Sequence, residues 1–235
     1  MKRIALFLLF AAAAGSALAQ SGEAAIRKVF EDKLKTHVDQ ISRSPLPGIY
    51  EVLVEGQTMY VDEKASHFIA GTMVDLKTMN NVSADSRAKW LQKQYAKLPL
   101  DLAIKVVRGS GKNVLVTFED PNCGYCKVLG KDLQKQKDIT VYTFLLPVLG
   151  PNSESMARNI WCAPDRGKAW TEWMVGGTAP ASAAKCDADG VLRKTMELGQ
   201  RFGIRGTPFL MFANGDAAPG YLKPEEMEKR FKAVN

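Results

Sequence analysis

The spacing of hydrophobic positions changes several times along the chain. Ile26, Val29, Phe30 and Leu34 recur at intervals of three and four with charges between them, which predicts an amphipathic helix. Pro45, Pro47 and Gly48 break that pattern. From Ile49 the period becomes two: Tyr50, Val52 and Val54 alternate with Glu51 and Glu55. The break Glu55-Gly56-Gln57 leads to Met59, Tyr60 and Val61, and a third run covers His67 to Leu76. One helix and about three antiparallel strands make a small α+β unit over residues 20–80. So small a unit buries a modest fraction of its surface and leaves open strand edges, so pairing with a second copy would stabilise it.

After Asn80-Asn81-Val82-Ser83, residues Ala84 to Leu98 read as a helix rich in Lys and Arg, with Ser83 as its expected N-cap. Trp90, Leu91, Tyr95 and Leu98 are its only large apolar residues, as expected of a linker over residues 81–99 closed by Pro99. Residues 100–235 alternate strand and helix. Leu102 to Val107 and Val114 to Phe118 are predicted strands, Cys123 to Gln136 a helix, and Ile139 to Leu146 a strand. Several helical segments follow between Ser153 and Gly203, and Phe209 to Ala213 is the next strand. Asn214-Gly215 forms a hairpin turn, and Pro224 to Ala233 the last helix. The pattern is an α/β sandwich interrupted once, at about residues 150–203, by a helical insertion.

Composition narrows the setting. The first 19 residues join a basic head (Met1-Lys2-Arg3), an apolar run from Ile4 to Ala14, and small residues at Ala17 and Ala19. Such a segment is expected to be a secretory signal cut before Gln20, since the run is short for a membrane span. No later stretch is apolar enough to span a bilayer, so export without membrane insertion is expected. Losing Lys2 and Arg3 with the leader takes the formal charge from +7 to +5. The remaining basic residues are interleaved with acidic ones, which disfavours nucleic-acid binding. Four cysteines are too few for a disulfide-built scaffold, so each pair is expected to have a specific task.

Cys123-Gly124-Tyr125-Cys126 follows a buried strand and the loop Glu119-Asp120-Pro121-Asn122, at the start of a helix. Two cysteines three apart on a first helical turn can open or close a disulfide with little backbone movement. The helix dipole favours a thiolate on the first sulfur. Cys123 is therefore expected to be the exposed nucleophile and Cys126, one turn further in, the buried resolving thiol. A zinc site would need a second close pair, but Cys162 and Cys186 are 24 apart and the only histidines, His37 and His67, lie in the other unit. No metal and no cofactor is expected. A purely structural bridge across four residues would constrain the unfolded chain little. Redox exchange is the favoured chemistry.

Gly206-Thr207-Pro208, directly before the strand Phe209-Leu210-Met211-Phe212, resembles the cis-proline loop that faces the two cysteines in the thioredoxin superfamily. Such a loop lets the Thr207 backbone pair with an extended substrate, so Gly124, Tyr125, Thr207 and Pro208 are the expected substrate-binding residues. The ordered set of leader, small α+β domain, polar helix, Cys-Gly-Tyr-Cys, helical insertion with a second cysteine pair, and Gly-Thr-Pro resembles the DsbC/DsbG family of periplasmic disulfide isomerases. The Gly-Tyr dipeptide sits nearer the DsbC type.

The resemblance implies a thioredoxin-like domain preceded by a cystatin-like dimerisation domain and a linker helix. It also implies a periplasmic homodimer joined through residues 20–80, misoxidised secreted proteins as substrates, and a membrane DsbD-like reductant. Cys162 and Cys186, within the insertion, are read as a structural pair; if bonded, the loop contributes roughly 3–4 kcal/mol. One departure stands out: thioredoxins and DsbA-like oxidases carry a buried acid six residues before the nucleophile, where this chain has Thr117. Glu119 and Asp120 are expected to be ordinary solvated loop residues, which leaves the proton acceptor for Cys126 unassigned. The expected activity is disulfide isomerisation through a Cys123 mixed disulfide. The competing readings are a DsbG-like reductase of sulfenylated cysteines and a holdase chaperone with secondary redox activity.

Overall fold

A computed structural model describes residues 22–181 and 186–234. The expected leader, residues 1–19, lies outside the described residues. The chain divides into two compact units after Arg87.

In the first unit a helix over residues 22–32 (α1) precedes four strands: β1 (Gln40–Arg43), β2 (Ile49–Val54), β3 (Gln57–Asp62) and β4 (Phe68–Ala70). They form an antiparallel meander in that order, with Tyr50 opposite Val61 and Met59 opposite Ala70. The β2–β3 turn places Glu55 and Gly56 at φ of 47° and 67°. Such doubly positive two-residue turns match the twist of a hairpin. Period-two alternation sends Tyr50, Val52 and Val54 to one face, where they pack with Val61 and with Ile26 and Phe30 of α1. Glu51 points the other way and is buried, accepting hydrogen bonds from Tyr60 Oη (3.2 Å) and Ser86 Oγ.

Three expectations change here. A fourth strand, β1, carries a single large apolar residue, Ile41, and pairs only along an edge, so its pattern is weak. The run from His67 to Leu76 yields a strand of only three residues; beyond it the chain turns at Asp75 and leaves Leu76 85% exposed. The helix α2 (Val82–Tyr95) is capped by Asn81, whose Oδ1 accepts from Ala84 N at 2.9 Å. Ser83, the expected cap, instead bonds Met73 N (2.8 Å) and Tyr60 Oη.

The second unit is built on a five-stranded sheet of order β5-β7-β6-β8-β9. Its strands are β5 (Ile104–Arg108), β6 (Asn113–Glu119), β7 (Ile139–Leu145), β8 (Phe209–Met211) and β9 (Ala217–Pro219). Only β6 and β7 run parallel. Central β6 is buried on both faces, and its alternation sorts the layers. Leu115 packs with Leu129 and Leu133 of α3 (Gly124–Leu133) and with Met227 and Phe231 of α7 (Pro224–Val234). Phe118, on the opposite face, stacks on Phe144 (4.9 Å) and meets Phe202 and Phe209 edge-on; Trp90 meets Phe202 in turn.

Between β7 and β8 the chain inserts α4 (Pro151–Trp161), α5 (Arg166–Thr171), a π turn (Glu172–Gly176) and α6 (Ala188–Arg201). Trp161, Trp170, Met174 and Leu192 of the insertion form one apolar cluster that reaches Cys123 and Cys126. A disulfide joins Cys162 to Cys186, with Cα atoms 5.8 Å apart. No described helix is long and apolar enough to cross a membrane.

Candidate active site

The C-terminal end of β6 turns through Asp120-Pro121-Asn122 into the N-terminus of α3, with Cys123 as the N-cap. The Cys126 amide donates to the Cys123 sulfur at 3.3 Å, so one orphan N–H of the helix end is satisfied by the cysteine itself. The Cys123 thiol donates to the Thr207 carbonyl at 3.2 Å. Thr207 lies there because β8 pairs antiparallel with β6, with Phe118 opposite Phe209, and because the Thr207–Pro208 bond is cis. Both cysteines are free thiols. Gly124 and Tyr125 are exposed beside them, Tyr125 by 68%, while Thr207 is half-buried and Pro208 buried. The chain thus brings together Cys123, Gly124, Tyr125, Cys126, Thr207 and Pro208. The Cys162–Cys186 pair belongs to the insertion, where Cys162 packs against the apolar cluster that also holds Cys123 and Cys126. Among the described residues no cluster of His, Cys, Asp and Glu could hold a metal ion.

Two expectations are corrected. Cys123 is not exposed: only 7% of its surface is accessible, against none for Cys126, because the Thr207 backbone and the insertion cluster close over it. Glu119 and Asp120 are not solvated loop residues either; they are 1% and 0% exposed. Asp120 is the polar anchor of the loop. Its Oδ1 accepts from Asn122 N and Ser153 Oγ, both at 2.7 Å, and its Oδ2 accepts from Leu149 N at 2.9 Å. Charge-assisted bonds of this kind are worth roughly 1.5–3 kcal/mol each, enough to fix a short loop.

Glu119 is the last residue of β6, two positions beyond Thr117 on the same face. Its Oε1 accepts from Thr117 Oγ1 at 2.7 Å and from Thr143 Oγ1 at 3.5 Å, while its Oε2 has no partner among the described residues. It lines a small cavity of about 30 Å³ together with Gly130, Thr143 and Met174. Burial raises its carboxyl to about 7 against the two threonine hydrogen bonds, which pull it down. Burial also drives the Cys126 thiol well above the ordinary cysteine range, and the Glu119 charge and then Cys123 push it further. The Glu119 charge thus opposes ionisation of the buried Cys126 thiol. A buried carboxyl, absent at position 117, stands at position 119 on the same face of β6. The signal was available: carrying β6 one residue past Phe118 puts Glu119 on the face of Thr117.

A family model described as "Disulfide bond isomerase protein N-terminal domain" matches residues 17–84, and one described as "Thioredoxin-like domain" matches residues 100–235. The chain is 41% identical over 193 residues to a probable thiol:disulfide interchange protein DsbC of Bordetella parapertussis, covering 82% of this chain and 68% of that protein. It is 33% identical over 233 residues to the thiol:disulfide interchange protein DsbC of Escherichia coli, covering 97% and 94%. A crystal structure of a disulfide interchange protein from Neisseria gonorrhoeae matches with a TM-score of 0.55 at 41% identity, over 58% of this chain and 98% of that one. A cysteine pair at a helix start facing a cis-proline loop, and relatives that match nearly end to end, lead to one assignment: the chain belongs to the DsbC family of thiol:disulfide interchange proteins.

Proposed function

We propose that this thiol:disulfide interchange enzyme works as an isomerase of incorrectly bridged exported proteins in the periplasm, with Cys123 as its nucleophile. One observation carries the reading: the Cys123 sulfur caps α3 and meets the Thr207 carbonyl of the cis-proline loop at 3.2 Å, where an extended substrate can lie beside it.

The Cys123 thiolate attacks one sulfur of a substrate disulfide. A Cys123–substrate disulfide forms, the substrate bond breaks, and the other substrate sulfur leaves as a thiolate. That thiolate is free to attack elsewhere in the substrate. When a substrate thiolate finally attacks the substrate sulfur of the mixed disulfide, a new substrate disulfide forms and Cys123 is released reduced. When rearrangement stalls, Cys126 attacks Cys123, the substrate departs with both thiols reduced, and two electrons have passed from the enzyme pair. A membrane DsbD-like thiol donor then restores the dithiol. Cys126 must lose its proton to attack, and Glu119 accepts it, so the buried site holds one negative charge before and after. Cys162–Cys186 braces the insertion. The names of the relatives favour interchange over sulfenic-acid reduction or a purely chaperone role.

A homodimer through residues 20–80 completes the reading. β4 is the edge of its sheet, and it exposes Phe68 by 53% and Ile69 by 69%. A short apolar edge of this kind invites strand addition from a second copy. A lysine on such an edge opposes pairing, so Ile69→Lys is expected to convert a dimer to a monomer in sedimentation equilibrium. The monomer keeps disulfide reductase activity and loses most of its isomerase activity. A variant that remains dimeric would place the interface elsewhere, and a monomer with full isomerase activity would remove the need for one.

A further inference from the structure

We propose that Trp173 is a positioning residue of the redox loop and that it favours the dithiol form of the Cys123–Cys126 pair. The proposal rests on the reading of that pair as the exchanging thiols. Trp173 lies in the π turn that follows α5, a backbone form that is rare and recurs at functional sites. Its indole Nε1–H donates to the Pro121 carbonyl at 2.6 Å, across 52 residues of sequence. The Lys127 ammonium stands 4.2 Å from the centre of the same ring. One side chain of the insertion therefore touches the residue two before Cys123 and the residue directly after Cys126.

Its neighbours Trp170 and Met174 are buried in the insertion core, whereas Trp173 is half-buried and turned to the loop. The loop is gripped from a second direction by Asp120, through Ser153 of α4 and the Leu149 amide. Residues 120–122 thus have little slack between the end of β6 and the start of α3.

This grip is matched to the dithiol. In that state the Cys123 sulfur rests on the Thr207 carbonyl and the Cys126 amide. Closing the disulfide takes the sulfur off the Thr207 carbonyl and onto Cys126, and the small backbone adjustment this requires falls just downstream of Pro121. A hydrogen bond tied to the present position of the Pro121 carbonyl is weakened by that adjustment. A contact that differs between two states shifts their equilibrium by that difference. Isomerisation needs the pair reduced in an oxidising compartment, and Trp173 biases it that way.

The test is the equilibrium with glutathione. Two glutathione thiols reduce the Cys123–Cys126 disulfide to the dithiol and become glutathione disulfide, so the reduced fraction reads the bias directly. Trp173→Phe keeps an aromatic ring and removes the N–H donor. The equilibrium constant for reduction is expected to fall by up to about tenfold, the ceiling being the full net worth of one hydrogen bond. A folded Trp173→Phe protein with an unchanged or raised constant overturns the proposal. Should that variant not fold, the wild-type indole N–H resonance, assigned through its contact with Pro121, carries the test. It must shift between reduced and oxidised protein, and a resonance identical in both states overturns the proposal equally. A wild-type protein that forms no glutathione-dependent Cys123–Cys126 disulfide would instead overturn the reading of the pair itself.

Discussion

Replacing Cys123 by alanine is expected to reduce reactivation of a scrambled, fully oxidised substrate to the uncatalysed background. Every step of the proposed cycle runs through the Cys123 sulfur, and Cys126 cannot substitute for it. Cys126 has no accessible surface, and burial together with the Glu119 charge keeps its thiol protonated through the neutral range. The thiolate is the attacking species, so a buried thiol held protonated exchanges slowly. The fold should tolerate the change, because the Asp120 anchor and the stacked phenylalanines of the sheet are untouched. Refolding yield of the scrambled substrate, followed with time, checks the outcome. Reactivation at the wild-type rate would dismiss Cys123 as the nucleophile. Suppressed aggregation without reactivation would leave the protein a chaperone in that variant alone.

Glu119→Gln is expected to slow attack of Cys126 on a Cys123 mixed disulfide by roughly a hundredfold around neutral pH, the usual scale for a lost proton acceptor. The carboxyl is raised to about 7, so in the wild-type protein the resolving rate should climb as pH rises through that value and then level. With glutamine the inflection disappears and the rate follows the external base. Single-turnover release of a chromophoric thiol from Cys123 measures both.

Stability moves the other way. The folded carboxyl is raised from 4.5, so the folded state holds a proton that the unfolded chain has already released. Stability contributed by this residue is therefore full below about 4.5 and declines as pH rises to about 7, by roughly 3 kcal/mol in all. Glu119→Gln removes that slope and should be the more stable protein above neutrality. A resolving rate unaffected at every pH would show that the proton leaves Cys126 by another path.

Much of this was legible in the sequence for identifiable reasons. β2 alternates with period two, β6 and β7 are apolar-rich runs bounded by turn residues, and the Cys-Gly-Tyr-Cys and Gly-Thr-Pro motifs have fixed places relative to their strands. The features that escaped lack a local signal. β1 has one apolar side chain and derives its order from pairing with β2. The cap of α2 passed from Ser83 to Asn81 because the Ser83 hydroxyl is taken by Met73 and Tyr60, a tertiary demand.

Glu119 and Asp120 look like loop acids in one dimension. Their burial depends on partners far away in the chain: Thr143 for one, Leu149 and Ser153 for the other. Composition favours exposed carboxylates, and burial wins here because each finds hydrogen-bond donors inside. The nearness of Trp173 to Pro121 was equally invisible, since the partners are 52 positions apart and Trp173 sits in a π turn that no sequence pattern marks.

The most direct measurement replaces Cys126 with serine, so that the mixed disulfide cannot be resolved from within, and mixes the protein with a scrambled substrate. Mass mapping of the covalent product is expected to find a peptide in which Cys123 is joined to a substrate cysteine, with Cys162 and Cys186 still joined to each other. A product linked through Cys162 or Cys186, or no covalent product at all, would contradict Cys123 as the nucleophile of disulfide exchange.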